Sequence, residues 1–253
     1  QVKGIELELG AQEPSRWAET DIEISTYAAN DPPEQNGSRR VGVFFGVSKH
    51  LFNSDDFKSG ENDLRACHRD ARKFAEAMRE VGRLGDVRIY TNEEATKANM
   101  KDAITRWLPS VTRPGDTVVI HFSGHTGQMP DTSGDESDGL DEFLVLHDFV
   151  GPGLIEELKD PEVQKKLTGA QAARIQQLIP TIRNGGDNWK LSLMHASAVS
   201  DDLMARWLQR LAGRQVLLIS DSCHSGGFAE QEKGGGGPSR AARFDFLENE
   251  TAR

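Results

Sequence analysis

The chain has 253 residues, a formal net charge of −10, 36% hydrophobic residues and two cysteines, Cys67 and Cys223. That length suits one large α/β domain or a domain with an appendage, and the acidic balance argues against nucleic acid, whose binding runs on clustered Lys and Arg. Two cysteines do not build a disulfide framework and suit a reducing compartment, so a cytoplasmic location is expected. No apolar run reaches the ~18 residues of a membrane span, and a chain that begins at Gln1 is compatible with a removed leader.

Residues 1–39 read as an N-terminal arm and linker. Two short stretches alternate apolar and acidic residues, as half-exposed strands do, and AANDPPEQNGS follows as a linker. Val41 to Val47 is the first nearly continuous apolar run, which predicts a buried core strand. After a polar loop at 53–60, apolar residues from Leu64 through Ala71 and Phe74 to Met78 recur at helical spacing. They predict a helix from about Asn62 to Val81, with Cys67 in its buried stripe. DVRIYT predicts a second strand, a helix follows through Trp107 and Leu108, and DTVVIHFS predicts a third strand. This alternation of strand and helix points to a mostly parallel central sheet flanked by helices. Beyond an acidic, Gly-punctuated loop, residues 142–147 predict a short strand and 151–187 helical patches. DDLMARWLQRLA reads as an amphipathic helix capped by Ser200 or Asp201. The fourth core strand is Val216 to Ile219, and a Gly-rich linker and tail occupy 231–253.

Two strands end in small, polar stretches that carry reactive groups. LLISDSCHSGGF presents Cys223 and TVVIHFSGHTG presents His125, each on an expected turn. Parallel neighbouring strands bring such turns to the same sheet edge, where α/β active sites lie. A thiol is mostly protonated at neutral pH and needs a base, so Cys223 as nucleophile and His125 as base form a chemically complete pair. Backbone N–H groups of the two stretches, at Thr126 and Cys223, are candidate oxyanion donors.

HFSGH with DSCHSG resembles the metacaspase and orthocaspase branch of the caspase-like cysteine peptidases, over roughly residues 40–228. The resemblance implies a caspase-like α/β sandwich and leaves His121 and His224 as framework. It implies cleavage after Arg or Lys, with Asp70 and Asp221 matching the acidic residues of the S1 pocket. Paired carboxylates suit a guanidinium because bidentate hydrogen bonds favour Arg. The resemblance also implies Ca²⁺ as activator, with Asp141, Asp201, Asp202 and Glu230 as ligands; several carboxylates suit this hard cation. No organic cofactor is expected.

Three departures from the family pattern stand out. Thr126 replaces the usual Gly after the base, and the stretch at about 149–199 is longer than expected, which makes it an inserted loop in a catalytic domain spanning 40–230. Only 30 residues follow Cys223. A small subunit cut from the same precursor is therefore expected as partner, with Arg253 as the processing site. The resulting expectation is a Cys–His endopeptidase working through an acyl-enzyme on protein substrates with a basic P1. The rivals are a catalytically silent caspase-fold regulator or scaffold, and a related peptidase preferring Asn or Asp, which Asp221 disfavours.

Overall fold

The computed structural model describes residues 37–134 and 139–224, with residues 223 and 224 described by their backbone. Among the described residues a six-stranded sheet forms the centre. Its strands are β1 (Arg40–Gly46), β2 (Asp86–Thr91), β3 (Thr117–Pro130), β4 (Leu140–Leu144), β5 (Val199–Ser200) and β6 (Gln215–His224). β2, β1, β3 and β6 lie side by side and parallel, while β4 pairs antiparallel with the C-terminal part of β3 and β5 antiparallel with β4. The expected α/β architecture, a mostly parallel sheet flanked by helices, is present.

Strand β1 is apolar on both faces because both are covered. One face carries Val41, Val43, Phe45, Val118, Ile120, Phe122 and Val216. Against it pack Met100 of α2 (Lys97–Asp102), Ile104 of a π-helical turn (Ala103–Trp107), Leu108 of α3 (Leu108–Val111) and the helix at 201–208. The other face carries Phe44, Val119, Leu217 and Ile219 beneath Ala71, Phe74, Ala75 and Met78 of α1 (Cys67–Glu80). Most of the stretch at 149–199 is helical: α4 (Pro152–Glu157), α5 (Pro161–Gln164), α6 (Gly169–Asn184) and α7 (Trp189–Ser197). These build a second core, in which Leu154, Leu158, Leu178 and Leu193 enclose Phe52 and Phe57 of the loop after β1. A capping box of Thr168 and Gln171 starts α6, and Ser200 caps α8 (Asp201–Leu208).

Two expectations about local structure are corrected. Helix α1 begins at Cys67, not near Asn62, because residues 61–64 are held as a loop: Leu64 N–H donates to Ser48 O, and the Asp63 carboxylate binds Lys49 Nζ and the His50 N–H. Nor does β3 end in a turn at His125. It runs on as strand to Pro130, because the hairpin partner β4 takes up the edge that β1 leaves after Gly46.

At that point Gly46 lets α1 approach β1. A Cβ there would lie 2.5 Å from Cys67 O and 2.8 Å from the Cα of His68, both backbone atoms of the helix start. Neither atom can move aside without shifting the helix, so Gly46→Ala is expected to destabilise the fold by about 3 kcal/mol, overpacking being the cause. A lower urea midpoint at an unchanged slope would show this.

Candidate active site

Parallel pairing of β3 and β6 runs unbroken from Thr117 opposite Gln215 to Thr126 opposite His224, and it sets His125 directly opposite Cys223. Adjacent strands are about 4.8 Å apart, so base and nucleophile positions are neighbours on rigid sheet rather than on two turns. Thr126 itself lies in both the β4 and β6 ladders, opposite Leu144 and His224. Its role as oxyanion donor would therefore be played from strand geometry, with a side chain that is buried.

His125 is only 3% exposed. Its Nε2–H donates to the backbone carbonyl of Asn62 at 2.7 Å, which leaves Nδ1 as the ring's lone-pair nitrogen. Nδ1 is buried with no hydrogen-bond partner among the described residues. Burial pushes the His125 pKa below its usual 6.5, partly opposed by the Asn62 carbonyl and by the Asp63 carboxylate. The ring is therefore neutral at physiological pH, in the tautomer that accepts a proton at Nδ1. Neither Asn62 nor Asp63 was recognisable beforehand. One acts through its backbone, and the other sits in a stretch read as the start of a helix.

A row of positions one step below carries the acidic groups. Gly46, Ser123 and Asp221 lie opposite one another across β1, β3 and β6. Buried Ser123 donates through Oγ to Asp221 Oδ2 at 3.3 Å, and Asp221 is exposed at the end of the row. Helix α1 starts over the Gly46 end, with Asp70 in its first turn. Asp221 thus sits two residues before Cys223 at the C-terminal edge of the sheet, and Asp70 lies on the helix that starts over the Gly46 end of the row. His121, buried against Phe44 and Phe74 one step further down, is held at a pKa of about 4 by desolvation, as a framework residue would be.

The candidate metal ligands lie elsewhere in the fold. Asp141 is buried on β4, and Asp201 and Asp202 open α8. Burial, together with the nearby Glu142 carboxylate, pushes Asp201 up to about 6. Among the described residues no three His, Cys, Asp or Glu side chains converge as a metal-holding group. Glu230 and Arg253 lie outside the described residues.

The family model "Metacaspase, peptidase C14 domain" matches residues 50–176, half of the chain, and the chain belongs to this family. The match includes His50, Asp70 and His125 and ends before β6. Metacaspase-1 of Schizosaccharomyces pombe is 31% identical over 153 residues, 56% of this chain and 35% of that protein. Metacaspase-2 of Arabidopsis thaliana is 36% identical over 132 residues, 49% of this chain and 29% of that protein. Metacaspase-1 of Saccharomyces cerevisiae is 30% identical over 176 residues, 64% of this chain and 38% of that protein. The chain thus spans about a third of the length of these relatives. A crystal structure of a Geobacter sulfurreducens protein superposes with a TM-score of 0.46 at 25% identity, over 74% of this chain and 51% of that one. No helix among the described residues is long and apolar enough to cross a membrane.

Proposed function

We propose that this chain is the large subunit of a cysteine endopeptidase that cleaves protein substrates after Arg or Lys. The observation that carries the reading is the β3–β6 register, which sets Cys223 opposite a buried, neutral His125 whose Nε2–H is already engaged by Asn62. In the first half-reaction the Cys223 thiol attacks the scissile carbonyl carbon and passes its proton to His125 Nδ1. The oxyanion is met by backbone N–H groups at Thr126 and Cys223. Collapse of the tetrahedral intermediate returns the proton from His125 to the leaving amine and leaves a thioester on Cys223. Water then attacks the thioester, His125 takes a proton from it, and collapse expels the Cys223 sulfur, which regains that proton as the acid product leaves.

Asp221 and Asp70 would hold the basic P1 side chain. Calcium enters the proposal as an activator held by Asp141, Asp201 and Asp202, with Glu230 completing the set. The half-buried Asp201 carboxyl near Glu142, pushed up to about 6, is the feature a cation would relieve. A small subunit from a common precursor would be the partner. Among the described residues β6 pairs only with β3, and its other edge can accept an added strand.

The test uses fluorogenic peptides ending in Arg or in Asp, with calcium or chelator and with the small subunit supplied. Arg-directed cleavage that disappears in Cys223→Ala supports the reading, and the chelator arm decides calcium. Cleavage after Asp instead would reassign the pocket, and no Cys223-dependent cleavage of either peptide would favour a silent scaffold. Self-processing is expected to be lost in a Cys223→Ala precursor; persistent processing would assign it to another protease.

A further inference from the structure

We propose that His50 is a positioning residue for His125: a buried imidazole platform that holds the base in its productive orientation and keeps water from one face of its ring. The inference rests on the peptidase reading. The two rings stack with centroids 5.4 Å apart and planes inclined by 24°. His50 is only 5% exposed, and neither of its ring nitrogens has a hydrogen-bond partner among the described residues. A buried polar ring with no engaged nitrogen is costly to keep, so its place beside the base calls for a reason.

The backbone around His50 is fixed on both sides, as a platform requires. His50 N–H donates to Asp63 Oδ1 at 3.0 Å, and Leu51 N–H donates to His147 O at 2.9 Å. His147 Nδ1–H donates in turn to Lys49 O at 2.7 Å. The segment after β4 that grips His50 also holds the base, since Val145 N–H donates to His125 O at 2.9 Å. One rigid frame therefore sets both rings, and a ring pinned at Nε2 and packed on one face has little freedom to turn. Such rigidity is what a reacting geometry needs, since a small misplacement of the base costs about 10²-fold in rate.

The charged and titratable groups facing His50 come from three places. They are His125 on β3, His147 beyond β4, and Asp63 before α1, whose Oδ1 is 3.8 Å from His50 Nδ1. Adjacent Lys49 is engaged by Asp63 Oδ2 at 2.7 Å. Desolvation first, then the neighbouring His125, hold His50 at a pKa of about 3, with Asp63 opposing. His50 is accordingly neutral across the working range, and its effect on His125 is that of a packed ring and an excluded solvent.

The experiment compares wild type, His50→Phe, His50→Gln and His50→Ala in the full chain, each checked by thermal melting. Two readouts are taken: Arg-peptide kinetics across pH, and ¹⁵N-histidine spectra of His125. His50→Gln and His50→Ala are expected to lower kcat by about tenfold to a hundredfold with KM nearly unchanged. In the spectra they should mix the two His125 tautomers and raise its pKa toward 6.5, because water reaches the ring. His50→Phe, which keeps a packed ring, is expected to restore both readouts. If His50→Ala fails to fold, the Gln and Phe variants carry the comparison. A folded His50→Gln with wild-type kcat and an unchanged His125 titration would overturn the proposal. Wild type that cleaves nothing counts against the peptidase reading alone, since the spectra still decide whether His50 sets the state of His125.

Discussion

Cys223→Ala is expected to remove cleavage after Arg, a loss of about 10⁵-fold or more, because the variant has no group able to form the thioester. His125→Ala is expected to cost about 10⁴-fold, the share general acid–base catalysis can supply. The two losses should not add in the double variant, because nucleophile and base act as one unit. The ladder that sets residue 125 opposite residue 223 is made by the backbone, so both variants should fold, with His125→Ala melting lower than wild type because it empties a buried site and leaves the Asn62 carbonyl unpaired. The pH profile carries a sign that follows from burial. Protonation of His125 abolishes the base, and burial moves that protonation below pH 6.5. The acid limb of kcat/KM should therefore fall at a pH below that of an ordinary exposed histidine. An acid limb at or above 6.5 would show that His125 is not the buried base. Full activity in Cys223→Ala would remove the proposed mechanism altogether.

What could be read from the amino-acid sequence was the part written in side-chain pattern. The mainly apolar runs at 41–47, 117–122 and 216–219 are packed on two faces and so appear as nearly unbroken stretches, which is why the parallel core was legible. Two such runs ending in small residues, one with a histidine and one with a cysteine, together with the family resemblance, made His125 and Cys223 the candidates. The continuation of β3 to Pro130 was not legible, because His125, Thr126 and Gly127 look like a turn until a hairpin partner pairs with them. The orienting carbonyl of Asn62 was hidden for a deeper reason, since a backbone acceptor leaves no trace in residue identity. His50 lies 75 positions before His125 in the chain and becomes its neighbour only because the loop after β1 is clamped by Asp63 and His147. The stretch at 149–199 showed helical patches, but its dependence on Phe52 and Phe57 for a core is a tertiary fact.

Asp221→Asn is expected to lower kcat/KM for an Arg peptide by about 10²- to 10³-fold, the loss when a guanidinium is left facing a neutral amide in place of a carboxylate. Position is the first reason to assign this role to Asp221. It lies two residues before Cys223 on an extended strand, about 6.7 Å along it, which is close to the reach of an extended Arg side chain from its own backbone. A substrate whose scissile carbonyl meets Cys223 can thus lay its P1 side chain back along β6 toward Asp221. The second reason is support: Ser123 donates to one carboxylate oxygen and restrains the group while it stays exposed. The decisive comparison is between peptides ending in Arg and in citrulline, which has the same shape without the charge. Wild type should prefer Arg by about the same 10²- to 10³-fold, and Asp221→Asn should nearly erase that preference while cleaving the citrulline peptide as wild type does. Asp70→Asn should reduce the preference less, because Asp70 belongs to α1, at the Gly46 end of the row rather than beside Cys223. If Asp221→Asn keeps the full preference for Arg, the pocket's charge must come from another carboxylate, and the direction of the substrate along β6 must be reversed.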